Sequence, residues 1–455
     1  MEENYLLNTT LARQLYHETA KKLPVIDFHN HLCTADLAER RNYENLARLW
    51  LISDPYKHRA MRICGVAERY ITGEADDYEK FQAWMAVLPK LIGNPLYDWS
   101  ILEMKRILEI EINPEAIDAQ SVWKKANDLL SQQEYTAPGL LSLFNVEYAA
   151  PCASATEDIS GFLKIDRIAP SLRGDDIVKP NKKTVEKLEE LTGKTVNTLE
   201  GYLAAVSIRL NDFQMAGCKF SDHALDDGFV FYTDDGKSGK RFCKLLQGIA
   251  LTEEEEGRLS SEILQFLASE YAKRDWTMQL HIGAQRYTSS RLRSLAGPAG
   301  GFAGIGSCCS VRSLTRMLDT FEQGRYGLPR TILFTLNPAD NAVMSVLSGS
   351  YSQDGVAGKV QQGPAWWWCD HLHGMREVFE TISSFGVLSE FIGMTTDSRS
   401  ILSFVRHEYF RRALCGWIGE KASKGEMPAS PELLKKLVEA VCYGNAKKLI
   451  EGRGK

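Results

Sequence analysis

Short apolar runs alternate along this chain with longer amphipathic stretches, and this alternation constrains the fold more than any other feature of the sequence. The clearest helical patterns cover residues 199–215, 253–273, 311–321 and 375–385. Strands that alternate with helices are typical of βαβ units and a parallel sheet. Eight apolar runs predict a (β/α)8 barrel, with strands at 24–32, 145–151, 167–172, 217–222, 277–282, 331–336, 360–369 and 390–396.

Two stretches interrupt the alternation. Residues 34–140 have a polar, helical pattern and are too long for an ordinary connection between a strand and a helix. They predict a helical insertion, or lid, after the first strand. The barrel would then consist of residues 1–33 and 141–455 and would end in C-terminal helices. Residues 223–249 are rich in Asp and Gly and predict a long loop or a short hairpin.

Composition argues against several classes of protein. The 455 residues carry 54 Lys and Arg against 59 Asp and Glu, and the net charge of −5 argues mildly against nucleic acid or an anionic membrane as partner. No apolar run approaches the length of a membrane span, and the first residues do not resemble a signal peptide. Ten cysteines without a CxxC pair predict reduced thiols in a cytoplasmic protein.

The most informative motif is DFHNH at residues 27–31. Side chains alternate between the two faces of a strand, so His29 and His31 point the same way. At the C-terminal end of a first barrel strand both would face the mouth, where imidazoles suit zinc or another divalent transition metal. The alternative is a pair of unrelated histidines near a strand end.

His371 and His373 have the same spacing in a different context. They follow a run of tryptophans and open a predicted helix. Residues two apart on a helix lie about 200° from each other around its axis. We therefore expect no shared metal at this second pair.

The last predicted strand ends in TTDSR at residues 395–399. Asp397 and Arg399 share a face if the strand continues. The carboxylate could then bind a metal or move a proton, and the guanidinium could stabilise an oxyanion. A salt-bridged strand end is the alternative reading of the same residues.

Two other predicted strands end in polar groups. The strand at 277–282 carries His281 and leads to Arg286, and the strand at 217–222 ends in Asp222. His281 is either a metal ligand or polarising group near a substrate, or a satisfied core histidine. Residues 297–306 are rich in glycine and predict a flexible active-site loop, with a phosphate cradle as the alternative. No GxSxG motif is present, which argues against a serine hydrolase.

With these motifs in place, the chain resembles the uronate isomerase family of the amidohydrolase superfamily. Order and spacing both agree with that family over nearly the whole length. Besides DFHNH, the matching segments are YKHRAMR at 56–62, GNPLY at 93–97, HIGAQR at 281–286, TILFTLNP at 331–338, WW at 366–367, TTDSRS at 395–400 and RHEYFRR at 406–412.

The resemblance implies a distorted (β/α)8 barrel that binds a divalent metal, usually zinc, and a hexuronate. It implies interconversion of D-glucuronate with D-fructuronate and of D-galacturonate with D-tagaturonate. A proton would move between C2 and C1 through a cis-enediol. Residues carried over from the family are His29, His31 and Asp397 for the metal; Tyr56, Asp397, Arg399 and His281 for catalysis; and Arg173, Arg286, Trp366 and Asp222 for substrate.

Two other functions stay open on the residues alone. A metal-dependent hydrolase of the same superfamily is disfavoured because no Lys or Glu ends the predicted fourth strand. A non-catalytic sugar-acid binder is disfavoured because binding alone does not require Tyr56, Asp397 and Arg399 together. A homo-oligomer is neither indicated nor excluded.

The chain departs from the family pattern at several places. Cys33 lies two residues beyond His31 and would meet the metal only if the strand continued, and we expect the chain to leave the strand instead. Segments 152–158, 170–175 and 300–307 also differ from the family. These departures bear on substrate preference, because they leave the expected metal and proton-transfer positions intact.

Overall fold

A computed structural model describes residues 2–452 as a parallel sheet wrapped by helices. Seven strands lie side by side in chain order, and every neighbouring pair is parallel. They are β1 (Val25–Asn30), β2 (Val146–Ser154), β3 (Ser171–Arg173), β4 (Phe220–Leu225), β5 (Thr277–Ile282), β6 (Arg330–Thr335) and β7 (Val360–Gln362).

The middle of the sheet shows why these residues form strands. All six residues of β5 are buried, as expected for a parallel strand covered on both faces. In its register with β6, Thr277 lies opposite Arg330 and Ile282 lies opposite Thr335. The sheet is strongly curved, so that Phe28 of β1 and Phe220 of β4 stack with ring centroids 5.8 Å apart although two strands lie between them. Because all seven strands are parallel, their C-terminal ends lie at the same edge of the sheet, and polar side chains are found there.

Helices occupy the long segment between β1 and β2, as its polar pattern predicts. Within it, the only β pairing among the described residues is an isolated bridge between Asn42 and Thr136. Its α-helices are Thr34–Ala38, Leu46–Trp50, Pro55–Ile63, Asp77–Val87, Pro95–Ile107, Ala119–Leu130 and Ala137–Leu143.

The remaining α-helices lie before β1, between the later strands and after the last strand. Two of them, Leu199–Met215 and Glu253–Lys273, have the predicted bounds. Within residues 2–452, no helix combines the length and apolar character needed to cross a membrane. The other α-helices are Thr10–Gln14, Asp175–Val178, Lys182–Thr192, Ser238–Leu246, Ser290–Ala296, Val311–Glu322, Asn341–Ser350, Leu372–Phe385, Val405–Ser423, Pro431–Glu439 and Asn445–Glu451.

Three sequence-based expectations need correction. The segment 223–249 is neither a simple loop nor a hairpin, because β4 continues to Leu225 and the helix Ser238–Leu246 follows. The seventh strand ends at Gln362, because Pro364 has no N–H to donate to a neighbouring strand. The expected eighth strand at 390–396 is not a regular strand in the described structure.

Side-chain hydrogen bonds replace some of the backbone hydrogen bonds that a regular eighth strand would make with β1. The buried Asp27 carboxylate accepts from the Thr396 N–H at 2.9 Å, and Thr395 Oγ1 accepts from the His29 N–H at 2.8 Å. Two backbone hydrogen bonds remain, Asp397 N–H to His29 O at 3.0 Å and His31 N–H to Ser398 O at 2.8 Å. The segment thus lies against β1 and brings Asp397 to the same edge as the histidines.

Candidate active site

A cleft of about 500 Å³ opens at the C-terminal edge of the sheet. This is the edge at which parallel α/β folds place their ligands. The sequence-predicted residues that line the cleft are His29, His31, Tyr56, Arg173, His281, Arg286, Trp366, Asp397 and Arg399.

Two imidazoles and a carboxylate converge on the floor of this cleft. Asp397 Oδ1 lies 3.2 Å from His29 Nε2 and 3.0 Å from His31 Nε2. His29 lies on β1 and His31 directly follows this strand, and both side chains approach the same carboxylate. Asp397 reaches them from a backbone with φ of +50°, the left-handed region in which aspartate and asparagine are tolerated better than most residues.

That turn overturns one expectation. Because the chain does not continue as a strand through Asp397, Asp397 and Arg399 do not share a strand face. Arg399 is exposed at the cleft. The turn is held by Asp27, which also accepts a hydrogen bond from His407 Nε2 at 2.8 Å if that nitrogen carries the proton.

Charge at the floor favours an ionised carboxylate. Burial alone would raise the pKa of Asp397, but hydrogen bonds from His29 and His31 hold that pKa well below its usual value. Burial opposes the charged form of His29, yet the hydrogen bond to Asp397 raises its pKa. Burial lowers the pKa of His31 to about 4. The same carboxylate thus shifts the pKa of His29 upwards, while burial shifts the pKa of His31 downwards.

These donors fit a divalent cation. Imidazole nitrogen and carboxylate oxygen are ligands that zinc and similar metals use. The ligand atoms of His29, Asp222 and His281 lie within 4.8 Å of one another, as do those of His29, His31 and Cys152. His281 Nε2 is buried without a hydrogen-bond partner. Burial lowers the pKa of His281 well below its usual value, so that nitrogen keeps a free lone pair or a free N–H.

Tyr56 enters the cleft from the helical segment. It is the second residue of the helix Pro55–Ile63, whose N-cap Asp54 accepts from the N–H groups of Tyr56 and Lys57. The Lys57 ammonium is buried against Asp54 at 2.7 Å and Glu103 at 3.5 Å, so the start of this helix is anchored inside the protein.

The Tyr56 hydroxyl itself is buried without a hydrogen-bond partner. Burial raises its pKa well above the usual value. The ring lies 5.2 Å from the Trp368 ring, and the Arg406 guanidinium lies 5.1 Å from the Tyr56 centroid. The tyrosine ring is therefore fixed in place beside the cleft, with a hydroxyl that has hydrogen-bonding capacity left over.

Guanidinium groups form the rim. Arg173 lies 3.1 Å from Asp175 and 3.7 Å from Asp222, and Arg286 lies 2.8 Å from Asp226. These pairs hold the arginines in place beside the cleft. Asp222 differs from the other predicted substrate residues, because it is fully buried and does not line the cleft.

Trp366 connects two parts of the floor. Its Nε1 donates to Asp397 Oδ2 at 3.1 Å, and its ring centroid lies 4.7 Å from that of His281. The indole thus orients the carboxylate and covers the imidazole.

The glycine-rich segment 297–306 borders the cleft. Gly301 has φ of +79°, and a Cβ on it would collide with the Pro55 carbonyl. The segment therefore packs directly on the start of the helix that carries Tyr56, where only glycine fits.

Sequence reasoning missed the position of Cys152. The thiol lies 3.4 Å from His29 Nδ1 and lines the cleft, whereas Cys33 is exposed after β1 ends. The available signal was that Cys152 directly follows the predicted strand at 145–151 and begins a segment, 152–158, that departs from the family pattern.

Imidazoles, a carboxylate and guanidinium groups thus lie together at the C-terminal edge of a parallel sheet. This arrangement defines the class of the protein: an α/β protein whose candidate active site has side chains that can bind a metal. A model of the glucuronate isomerase family matches residues 1–450. The chain is 39% identical to uronate isomerases of Caldanaerobacter subterraneus subsp. tengcongensis and of Haemophilus influenzae, with 98% of each chain covered. A crystal structure of uronate isomerase from Thermotoga maritima has a TM-score of 0.91 and 30% identity over 99% of both chains.

The chain belongs to the glucuronate isomerase family, which confirms the resemblance drawn from its motifs. It is accordingly an enzyme of the isomerase class, and the hydrolase and the non-catalytic binder are set aside.

Proposed function

We propose that this enzyme interconverts D-glucuronate and D-fructuronate, and D-galacturonate and D-tagaturonate, by moving a proton between C2 and C1 through a cis-enediol. The relatives that carry the name uronate isomerase support this reaction. The observation that carries it for this chain is the convergence of His29 and His31 on Asp397 beneath a rim of arginines.

His29, His31 and Asp397 would hold a divalent metal, and zinc is our choice because two imidazoles and a carboxylate suit it. Such an ion, when bound, supplies a positive charge that anchors the oxygens of the sugar acid. The residues around it do the remaining work of binding, orientation and proton transfer.

Proton transfer is assigned to Tyr56 and Asp397. The Tyr56 hydroxyl is unpartnered inside the cleft, and Asp397 stays ionised at its floor, so one offers a proton and the other accepts one. Arg399 would stabilise the negative charge of the enediolate from the rim. His281, with an unpartnered Nε2, would donate to or accept from a substrate hydroxyl.

Substrate binding is assigned to the rim and the wall. Arg173 and Arg286 would hold the carboxylate of the sugar, because a guanidinium can donate two parallel hydrogen bonds to it. Trp366 would contact the sugar and keep Asp397 oriented. Asp222 is buried behind Arg173, so its contribution would pass through that arginine.

The architecture supports this division of work. We infer that residues 1–33 and 141–455 form a (β/α)8 barrel, in which the segment that ends at Asp397 takes the position of the eighth strand. Residues 34–140 would form the lid that carries Tyr56 and excludes water from the enediolate.

An exchange experiment tests the proposal. The purified enzyme, loaded with zinc, is incubated with D-glucuronate in deuterated water and followed by NMR. We expect ketose to form and solvent deuterium to enter at the carbon that receives the proton, and the same with D-galacturonate. Binding of both uronates without ketose formation would contradict the isomerase assignment.

A further inference from the structure

Cys152 occupies a position between two polar groups that the proposed chemistry leaves unexplained. It lies near the C-terminal end of β2, with its sulfur 3.4 Å from His29 Nδ1 and 3.3 Å from Asp222 Oδ1. His29 and Asp222 come from β1 and β4, so the thiol bridges two other strands of the sheet. Asp222 is fully buried, and its second oxygen has no hydrogen bond.

Geometry and the single hydrogen of a thiol together indicate the direction of the hydrogen bonds. A thiol has one hydrogen to donate, and Cys152 Sγ lies in donor geometry to Asp222 Oδ1. The S–H of Cys152 therefore points to Asp222 Oδ1, which leaves the sulfur lone pairs facing His29. A sulfur acceptor at that distance is complementary to His29 only if Nδ1 carries its hydrogen.

A neutral imidazole with hydrogen on Nδ1 has its lone pair on Nε2. His29 Nε2 lies 3.2 Å from Asp397 Oδ1, and the proton shared by these two atoms is the one that a bound cation would replace. A ligand histidine usually donates its other ring N–H to a neighbouring acceptor, which fixes both tautomer and ring orientation. Here the acceptor is a sulfur atom, and the sulfur is in turn oriented by a buried carboxylate.

We propose that Cys152 is a positioning residue of the metal centre, a thiol bridge from Asp222 that holds His29 in the tautomer whose Nε2 binds the cation. This inference rests on the metal site of the proposed function. It also assigns Asp222 a place in that site without direct contact to the substrate. The sulfur lies on the Nδ1 side of the ring, opposite Asp397, and acts through His29.

The test uses zinc binding by the full-length metal-free protein, measured in competition with a chromophoric chelator. Cys152→Ala removes the bridge, and Cys152→Ser retains a donor and an acceptor. Cys33→Ala is the matched control, because Cys33 also lies close to the end of a strand but is exposed and outside the cleft. Loss of an outer-shell partner typically weakens metal binding by about 10–100-fold.

We expect zinc affinity to fall by about 10–100-fold in Cys152→Ala, to recover in part in Cys152→Ser and to stay at the wild-type value in Cys33→Ala. Equal zinc affinity of Cys152→Ala and the wild type would overturn the proposal. The absorption spectrum of the cobalt(II)-loaded protein gives a second readout. A sulfur-to-cobalt charge-transfer band that is lost in both Cys152→Ala and Cys152→Ser but kept in Cys33→Ala would also overturn it, because the thiol would then be a direct ligand.

The two levels of proposal fail in different ways. A wild-type protein that isomerises uronates but binds no zinc would remove the metal site and this inference with it, while leaving the reaction intact. A wild-type protein that binds zinc as tightly as Cys152→Ala would remove this inference alone. If Cys152→Ser recovers part of the zinc affinity and all variants unfold at the wild-type temperature, the loss in Cys152→Ala comes from the position of His29. A lower unfolding temperature in Cys152→Ala would instead indicate a general packing defect at β2.

Discussion

Two regions of this molecule carry the same three-residue pattern of histidines and use it for different purposes. At the end of β1 the rings of His29 and His31 lie 5.4 Å apart at 78°, and both Nε2 atoms approach Asp397. At the start of the helix Leu372–Phe385 the rings of His371 and His373 lie 6.3 Å apart and nearly parallel.

The second pair makes two separate local contacts. His371 is the N-cap of the helix, and its Nδ1 accepts from the Gly374 N–H at 3.0 Å. His373 is exposed and lies 3.1 Å from Glu377, one turn further along the same helix. The difference shows that spacing alone does not define a metal site. The local backbone and a third residue from a distant segment of the chain decide it.

The largest effect is expected from removing that third residue. Asp397→Asn keeps the side-chain shape and tolerates the positive φ, but it removes the charge that faces both histidines. We expect kcat/KM for D-glucuronate to fall by about 10²–10⁴-fold with little change in thermal unfolding. Asp354→Asn, a change of the same kind at an exposed loop position, should retain full activity. Near-normal turnover of Asp397→Asn would remove Asp397 from the proposed chemistry.

A second experiment sets the two histidine pairs directly against each other. The double variant His29→Asn/His31→Asn loses both imidazoles at the cleft floor, and His371→Asn/His373→Asn loses both at the helix. In the first variant we expect zinc affinity to fall by more than the roughly 10–100-fold that is typical when a residue hydrogen-bonded to a ligand is lost. In the second variant we expect the wild-type zinc affinity. Metal content after dialysis against dilute zinc measures both. Equal metal content in the two variants would contradict the assignment.

Much of this contrast was accessible from the sequence, because periodicity is a local property. The alternation of side chains on a strand predicted that His29 and His31 lie together. The helix after the tryptophans was also predicted, but the helical period does not describe the second pair, because His371 is an extended N-cap that precedes the helix. The bounds of the long amphipathic helices were predicted from local periodicity. The cap role of His371 was not, because histidine is not among the residues preferred at that position.

What could not be predicted depends on contacts between distant segments. The regular strand expected at 390–396 is replaced by backbone N–H groups that donate to the side chains of Asp27 and Thr395, and no local pattern encodes that exchange. The left-handed backbone at Asp397 follows from the same contacts. Cys152 could be recognised only as a departure, because its partners His29 and Asp222 lie on other strands.

A third prediction concerns the structural role of the second pair. His371→Ala removes the side-chain acceptor at the start of the helix, and loss of an N-cap typically costs about 1 kcal/mol. We expect the free energy of unfolding at pH 8 to fall by about that amount, with zinc affinity unchanged. Urea unfolding monitored by circular dichroism measures the change. A loss of zinc affinity in this variant would show that the two regions are coupled.

The smallest effect is a dependence of this cap on pH. Burial, helped by His373, lowers the pKa of His371 below that of an ordinary histidine. A histidine with a lowered folded-state pKa stabilises the fold above its unfolded-state pKa of about 6.5, and the contribution is lost as the pH falls through the folded-state value. The physical reason is that protonated Nδ1 cannot accept from Gly374, and a cation is unfavourable at a helix N-terminus.

Two variants isolate this effect from the other groups that titrate in acid. His371→Asn keeps a cap that does not change charge, whereas His371→Ala has none. As the pH falls from 8 to 5, the wild type should lose stability relative to His371→Asn, by roughly 0.5–1 kcal/mol. Over the same range its advantage over His371→Ala should shrink. Free energies of unfolding that stay parallel across the three proteins would show that the cap does not depend on the charge of His371. The helix pair would then be insensitive to acid, although it has the same spacing as the pair on β1.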